Sequence, residues 1–166
     1  MSTVPPLPAR VNLGLLLREP YRIGNEELHR RIAERGHAAI RAPHGNVFAF
    51  LDDDGTRVSE LAARAQITKQ SMAELVAHLE QHGYVERIPD PGDGRAKLVR
   101  ATANGRAVYA IARDVIAEIE REWTAELGAT KMRQLRELLE ELNDRLTGPH
   151  PFPGQAPRDS ASRRAQ

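Results

Sequence analysis

The chain contains no cysteine, and that absence removes disulfide frameworks, thiolate metal sites, iron–sulfur clusters and thiol redox sensing together. Aromatic residues make up 4% of its 166 residues. Stacking on single-stranded nucleic acid needs several exposed rings, so that mode is disfavoured. Neither sign of charge is in excess. With 24 Lys+Arg against 23 Asp+Glu the formal balance is +1, so no global field draws in nucleic acid and any partner preference must be local. A long hydrophobic run is missing too. Leu13 to Leu17, with Gly14 inside, falls far short of the ~20 residues of a membrane span and lacks the layout of a cleaved signal. These gaps predict a soluble, cytoplasmic chain without membrane contact, one domain in size or a small domain with helical arms. No glycine-rich phosphate loop, nucleophile elbow or paired-carboxylate arrangement occurs, so no catalytic residue, cofactor or enzymatic activity is expected.

Pro5, Pro6 and Pro8 exclude a regular element, which predicts a disordered arm over residues 1–9. A second such segment, rich in proline and glycine and carrying Arg158, Arg163 and Arg164, predicts a disordered tail over 147–166, to which no role is given. Between them, Leu13, Leu16, Leu17, Ile23, Leu28 and Ile32 repeat at helical steps, and Pro20 and Gly24 are expected to kink or split that helix. A short helix is expected from about His44 to Leu51. The run Asp52, Asp53, Asp54, Gly55 lacks the alternating spacing of a calcium loop and reads as a turn.

The middle of the chain is more specific. Ser59 is placed as the cap of a helix burying Leu61, Ala62 and Ala65, and Thr68 as the cap of another burying Met72, Leu75, Val76 and Leu79, ended by Gly83. Two helices joined through Gln66 to Thr68 form a helix-turn-helix. Strand patterns at Tyr84 to Ile88 and Leu98 to Ala101 flank Pro89 to Lys97, which predicts a β-hairpin with a long tip. A lone hairpin is marginal, so it should pack beside the helix pair as a wing. Thr102 caps a helix expected over Ala103 to Leu127. Gly128 breaks it, and Thr130 is expected to cap a last helix carrying Met132, Leu135, Leu138, Leu139, Leu142 and Leu146.

The fold class is therefore mainly α with a small β-hairpin: a winged helix-turn-helix over 43–101, flanked by dimerisation helices over 10–42 and 102–146. The apolar stripes of those outer helices exceed what the centre can bury. A second copy of the chain is the simplest supplier of the missing surface, and a two-fold dimer presents two recognition helices ~34 Å apart to a pseudo-palindromic duplex.

On the second helix of the pair, Lys69, Gln70, Ala73, Glu74 and Ala77 are left pointing outward. Its start gathers Thr68, Lys69, Gln70 and Ser71, residue types that pair with bases or phosphates, at a helix N-terminus that itself favours phosphate. Ser59 joins this set, as do Asp93, Arg95 and Lys97 of the hairpin. Asp93 and Arg95 flank Gly94, an arrangement in which the carboxylate would hold the guanidinium extended for a narrow minor groove.

The stretch Asp90-Pro91-Gly92-Asp93-Gly94-Arg95-Ala96-Lys97-Leu98-Val99, followed by Thr102-Ala103-Asn104-Gly105-Arg106 and preceded by Ser59-Glu60-Leu61-Ala62 and Leu79-Glu80-Gln81-His82-Gly83-Tyr84-Val85, resembles the multiple antibiotic resistance regulator (MarR) family of bacterial winged-helix transcription factors. The resemblance implies a homodimeric repressor built from the first and last helices, double-stranded DNA as partner, recognition by Thr68 to Ser71, and minor-groove insertion by Arg95 steadied by Asp93. It departs at Ala101, where the family has a larger aliphatic residue, and at Pro20 and Gly24. It further implies a small aromatic or anionic effector in a crevice near Tyr21, Arg41, His44, Phe48 and Tyr109. Of these, Phe48 and Tyr109 also read as plain core residues. His78 and His82 share one helical face, but two histidines do not close a metal site, and no metal is expected. Glu74 and Glu80 oppose phosphate and keep a protein-interaction module open as the alternative function.

Overall fold

The computed structural model describes residues 11–147; the expectations for 1–9 and for 148–166 lie outside the described residues. Helix α1 spans Leu13–Ile32, capped by the Asn12 side chain, which accepts from the Leu15 amide at 3.0 Å. It runs unbroken through Pro20 and Gly24, so the expected split does not occur. Leu16 and Pro20 are exposed, and water can take the carbonyl that the proline leaves unbonded. Gly24 is there for room: a Cβ on it would lie 2.8 Å from Cη2 of Trp123. A wide helical turn follows and is broken at Gly36, where φ is +94°.

The helix expected from His44 to Leu51 is smaller, a tight turn over Ala42–His44 and a single α turn, α2, at Gly45–Phe48. The three aspartates form a turn closed by the Gly55 amide donating to the Asp52 carbonyl at 3.0 Å. Helix α3 is Val58–Arg64, and its cap position is Arg57, whose side chain makes no capping bond. Ser59 is thus an exposed residue of the first turn and not the cap. The reason lies one residue further back: Thr56 exchanges both backbone bonds with Val99 at 2.9 Å, which holds the chain extended up to Arg57 and starts the helix earlier than Ser59. After a turn with Gln66 at φ +54°, α4 spans Lys69–Gln81. Leu61 and Ala62 of α3 and Met72, Val76 and Leu79 of α4 are buried against Ile32, Ile40, Val47, Tyr84, Val85, Val99 and Val108, the core of the molecule.

Gly83, at φ +72°, turns the chain into the hairpin. Strand β1 is Val85–Asp90 and β2 is Asp93–Ala101, antiparallel, with Ile88 opposite Leu98 and Pro89 opposite Lys97. The expected long tip is therefore not present. Pairing continues until Pro91 and Gly92 alone remain as the turn, with an irregularity between Pro89 and Asp90. Pro89 lacks an amide to donate, but among the described residues β1 pairs only with β2, and an edge strand tolerates that loss.

Helix α5, Ala103–Leu127, starts at Thr102, whose hydroxyl accepts from the Gly105 amide at 3.1 Å and donates to the Gly83 carbonyl at 2.6 Å. Gly128 at φ +90° ends it, and α6 spans Ala129–Thr147. Because α6 already begins at Ala129, Thr130 lies inside it and does not cap it. Along the outer layer α5 packs on α1, fastened by Arg35 to Glu118 and Arg31 to Glu122, both at 2.8 Å. One chain leaves much of this layer bare: Leu13 is 60%, Leu16 56%, Leu138 65% and Leu146 73% exposed.

Candidate nucleic-acid interface

Thr68 stands in extended backbone before α4, and its hydroxyl oxygen accepts from the Ser71 amide at 3.1 Å. The same hydroxyl donates to the Ser71 Oγ at 2.9 Å. Both side chains are thereby fixed at the N-terminus of a 13-residue helix, whose first-turn amides and dipole favour an anion. Lys69, Gln70 and Ser71 are exposed, as expected of an outward face. Gln70 is oriented by donating to Glu74 at 3.3 Å. Ala73 is half-buried and Ala77 exposed.

On the hairpin, Asp93, Arg95 and Lys97 are exposed. The Asp93 carboxylate does not hold the Arg95 guanidinium. One of its oxygens instead accepts from the Arg95 backbone amide at 3.1 Å, and the other faces Arg57 at 3.6 Å. A side-chain pair between residues so close on a strand loses to the amide that the turn leaves unbonded. Asp90 works similarly, accepting from the Gly92 amide at 2.8 Å while Arg57 approaches its other oxygen to 2.5 Å. The Gly92 amide first, and Arg57 next, hold the Asp90 carboxyl below its ordinary range.

Lys69, Arg95 and Lys97 have no ion-pair partner among the described residues, whereas the neighbouring Arg57 and Arg64 each have two and Arg87 and Arg100 one each. Glu80 is taken by Arg87 at 3.0 Å. Sequence reasoning missed Arg57, because its partners are 33 and 36 residues away and nothing local to it marks a contact.

Of the five residues expected around a crevice, Arg41 and His44 line one cleft of about 430 Å3 together with Ser71, Glu74, Leu75 and His78 of α4. Tyr21, Phe48 and Tyr109 do not line it. Tyr21 is 73% exposed on α1, Tyr109 is exposed on α5, and Phe48 packs against the core. His44 is buried, accepts from the Arg41 amide at Nδ1 (3.0 Å) and stacks on His78, with ring centroids 4.7 Å apart. His78 in turn lies 4.3 Å from the ring of His82. Burial first, then the neighbouring His78 and Arg41, push the His44 imidazole down to about 4. Among the described residues no three His, Cys, Asp or Glu side chains are grouped so as to hold a metal ion, and no helix is long and apolar enough to cross a membrane.

A short helix pair with a polar, capped second helix and an arginine-bearing hairpin behind it is a winged helix-turn-helix, the DNA-binding fold of a large class of transcriptional regulators. A family model described as MarR family matches residues 40–96. The Escherichia coli transcriptional regulator HosA (strain O127:H6) is 30% identical over 94 residues, which are 57% of this chain and 70% of that protein. The homoprotocatechuate degradative operon repressor of Escherichia coli is 37% identical over 82 residues, 49% of this chain, and the match spans 55% of that repressor's length. A Mycobacterium tuberculosis MarR family protein, solved in complex with salicylic acid, superposes with a TM-score of 0.62 at 28% identity, over 82% of this chain and 99% of that one. The chain belongs to the MarR family of transcriptional regulators.

Proposed function

We propose that the chain is a sequence-specific double-stranded DNA-binding repressor that acts as a homodimer on a pseudo-palindromic operator and responds to a small aromatic or anionic ligand. Residues 43–101 bind DNA in this reading, and 10–42 with 102–146 hold two copies together. The observation that carries it is the set of exposed cations without ion-pair partners among the described residues, Lys69 at the start of α4 and Arg95 and Lys97 on the hairpin, in a surface where neighbouring arginines are paired. Lys69 and Gln70 would read base edges in the major groove, Thr68, Ser71 and Ser59 would meet the backbone, and Arg95 would enter the minor groove with Lys97 on the phosphates. Asp93 acts on Arg95 through its backbone amide.

The bare stripes of α1 and α6 support the dimer, since apolar area of this kind is stabilised by burial at about 25 cal/mol per Å2. The cleft beside α4, with a cation at Arg41 and apolar walls at Ile67 and Leu75, supports a ligand that shifts the recognition helix, and a structural relative was solved with salicylic acid. Such a ligand acts through its different affinity for DNA-competent and incompetent arrangements. The protein-interaction alternative rested on Glu74 and Glu80, and the pairing of Glu80 with Arg87 weakens it.

Selection of bound fragments from a random duplex pool, followed by affinity against salt, tests the reading. Binding should select a two-fold site, and log K should fall with log salt at about 0.9 per neutralised phosphate. Arg95→Ala should weaken binding roughly tenfold with an unchanged melting temperature. Salt-insensitive binding, or none to any duplex, would remove DNA from the account.

A further inference from the structure

We infer that Arg57, one residue before α3, is the positioning residue of the wing: by bridging Asp90 and Asp93 its guanidinium holds the hairpin turn against the helix-turn-helix and sets where Arg95 is presented, an inference that rests on the DNA-binding reading above. The Arg57 Nε donates to the Asp90 carboxylate at 2.7 Å, its terminal nitrogen lies 2.5 Å from the same oxygen, and that nitrogen is 3.6 Å from Asp93. The remaining oxygen of each carboxylate is engaged by the turn itself, through the amides of Gly92 and Arg95. One cation therefore holds the two side chains that shape the Pro91-Gly92 turn and fix the backbone of Arg95.

The anchor is firm on the other side as well. Thr56 is locked to Val99 by two backbone bonds, so the residue carrying the guanidinium cannot drift away from β2. A two-stranded ribbon has little stiffness of its own, and the register irregularity between Pro89 and Asp90 lies next to the contact. The Asp90 side chain is only 11% exposed, against 44% for Arg57. An ion pair so open to water on one side adds little stability, and its effect is on geometry. Charge points the same way. Asp90 and Asp93 cancel Arg95 and Lys97, and Arg57 makes the tip net positive. Two carboxylates beside a DNA-seeking arginine would otherwise repel phosphate.

The test separates geometry from charge by sign. Asp90→Asn removes a negative charge near DNA, so electrostatics alone predicts tighter binding, whereas a positioning role predicts weaker binding. On the selected duplex at fixed salt, Asp90→Asn and Arg57→Ala should each weaken binding about fivefold. The loss from Arg57→Ala should vanish in an Arg95→Ala background. In the free protein, amide exchange at Gly92 and Arg95 should speed up in Arg57→Ala while core amides keep their rates. Tighter binding by Asp90→Asn, additive losses in the double variant, or unchanged exchange would each overturn the inference. If the unmodified chain bound no duplex, the DNA reading would fall, and the exchange rates would still decide whether Arg57 orders the wing.

Discussion

An added Cβ at Gly105 would lie 2.0 Å from the carbonyl oxygen of Tyr84, so the start of α5 touches the backbone that leads into the hairpin. Alanine at this position should gain about 1 kcal/mol of helix propensity yet force α5 off the wing. We expect Gly105→Ala to lower stability by a net ~2 kcal/mol or more in urea unfolding; an unchanged or raised midpoint would mean that the contact relaxes freely. His44 acts at the same scale through protons. Its imidazole is buried and held near 4 in the folded chain, below the ordinary value of about 6.5 in the unfolded one. Between these values the unfolded chain binds more protons, so stability must fall as pH drops from about 6.5 toward 4 and is intact above that window. His44→Gln, which keeps an acceptor for the Arg41 amide, should flatten this part of the curve. A slope equal to that of the unmodified protein would assign the acid sensitivity to other groups. Little of this is visible in the residue string: nothing local to Gly105 marks its contact with Tyr84, and the burial of His44 depends on core packing and on the ring of His78 brought against it by α4.

Caps and turns carry the elements, and these were the more legible part. Thr68, Thr102, Gly83 and Gly128 act where periodicity predicted helix ends, because each satisfies bonds that any helix terminus leaves open. Two of the departures, at Ser59 and at the hairpin tip, fell where strand pairing intervened. Ser59 is displaced as a cap by the pairing of Thr56 with Val99, and the hairpin tip is short because β1 and β2 go on pairing through turn-forming residues. Thr68 offers a test that separates its two tasks. Thr68→Ala should cost about 1 kcal/mol by removing the cap of α4. Thr68→Asp keeps the cap and suits the helix dipole, so its stability should match or exceed that of the unmodified chain. A carboxylate there would face phosphate, however, and duplex affinity should drop tenfold or more. If Thr68→Asp bound duplex as well as the unmodified protein, the N-terminus of α4 would not lie on the DNA backbone.

At the scale of the whole molecule, the outer helices carry more apolar stripe than the centre of one chain can cover. The single chain leaves Leu138 65% and Leu16 56% exposed, and among the described elements α6 packs mainly on α5. Sequence periodicity reveals such a stripe but not its register against a partner, which depends on how two copies cross. The consequence is nevertheless sharp. On a monomer surface, Leu138→Glu should change stability by no more than about 0.5 kcal/mol. Within a two-fold interface each substitution counts twice, and the carboxylates would be buried without partners. We expect sedimentation to give twice the chain mass for the unmodified protein and the single-chain mass for Leu138→Glu at micromolar concentration. Because a dimer gains its second half-site at a high effective concentration, duplex affinity should fall with dimerisation by roughly a hundredfold or more. Arg95→Ala should lose affinity with its mass unchanged. A Leu138→Glu chain that kept the mass of the unmodified protein would show that α6 lies outside the interface. The bare stripe would then need another occupant, and the spacing of paired recognition helices would have to be set by α1 and α5.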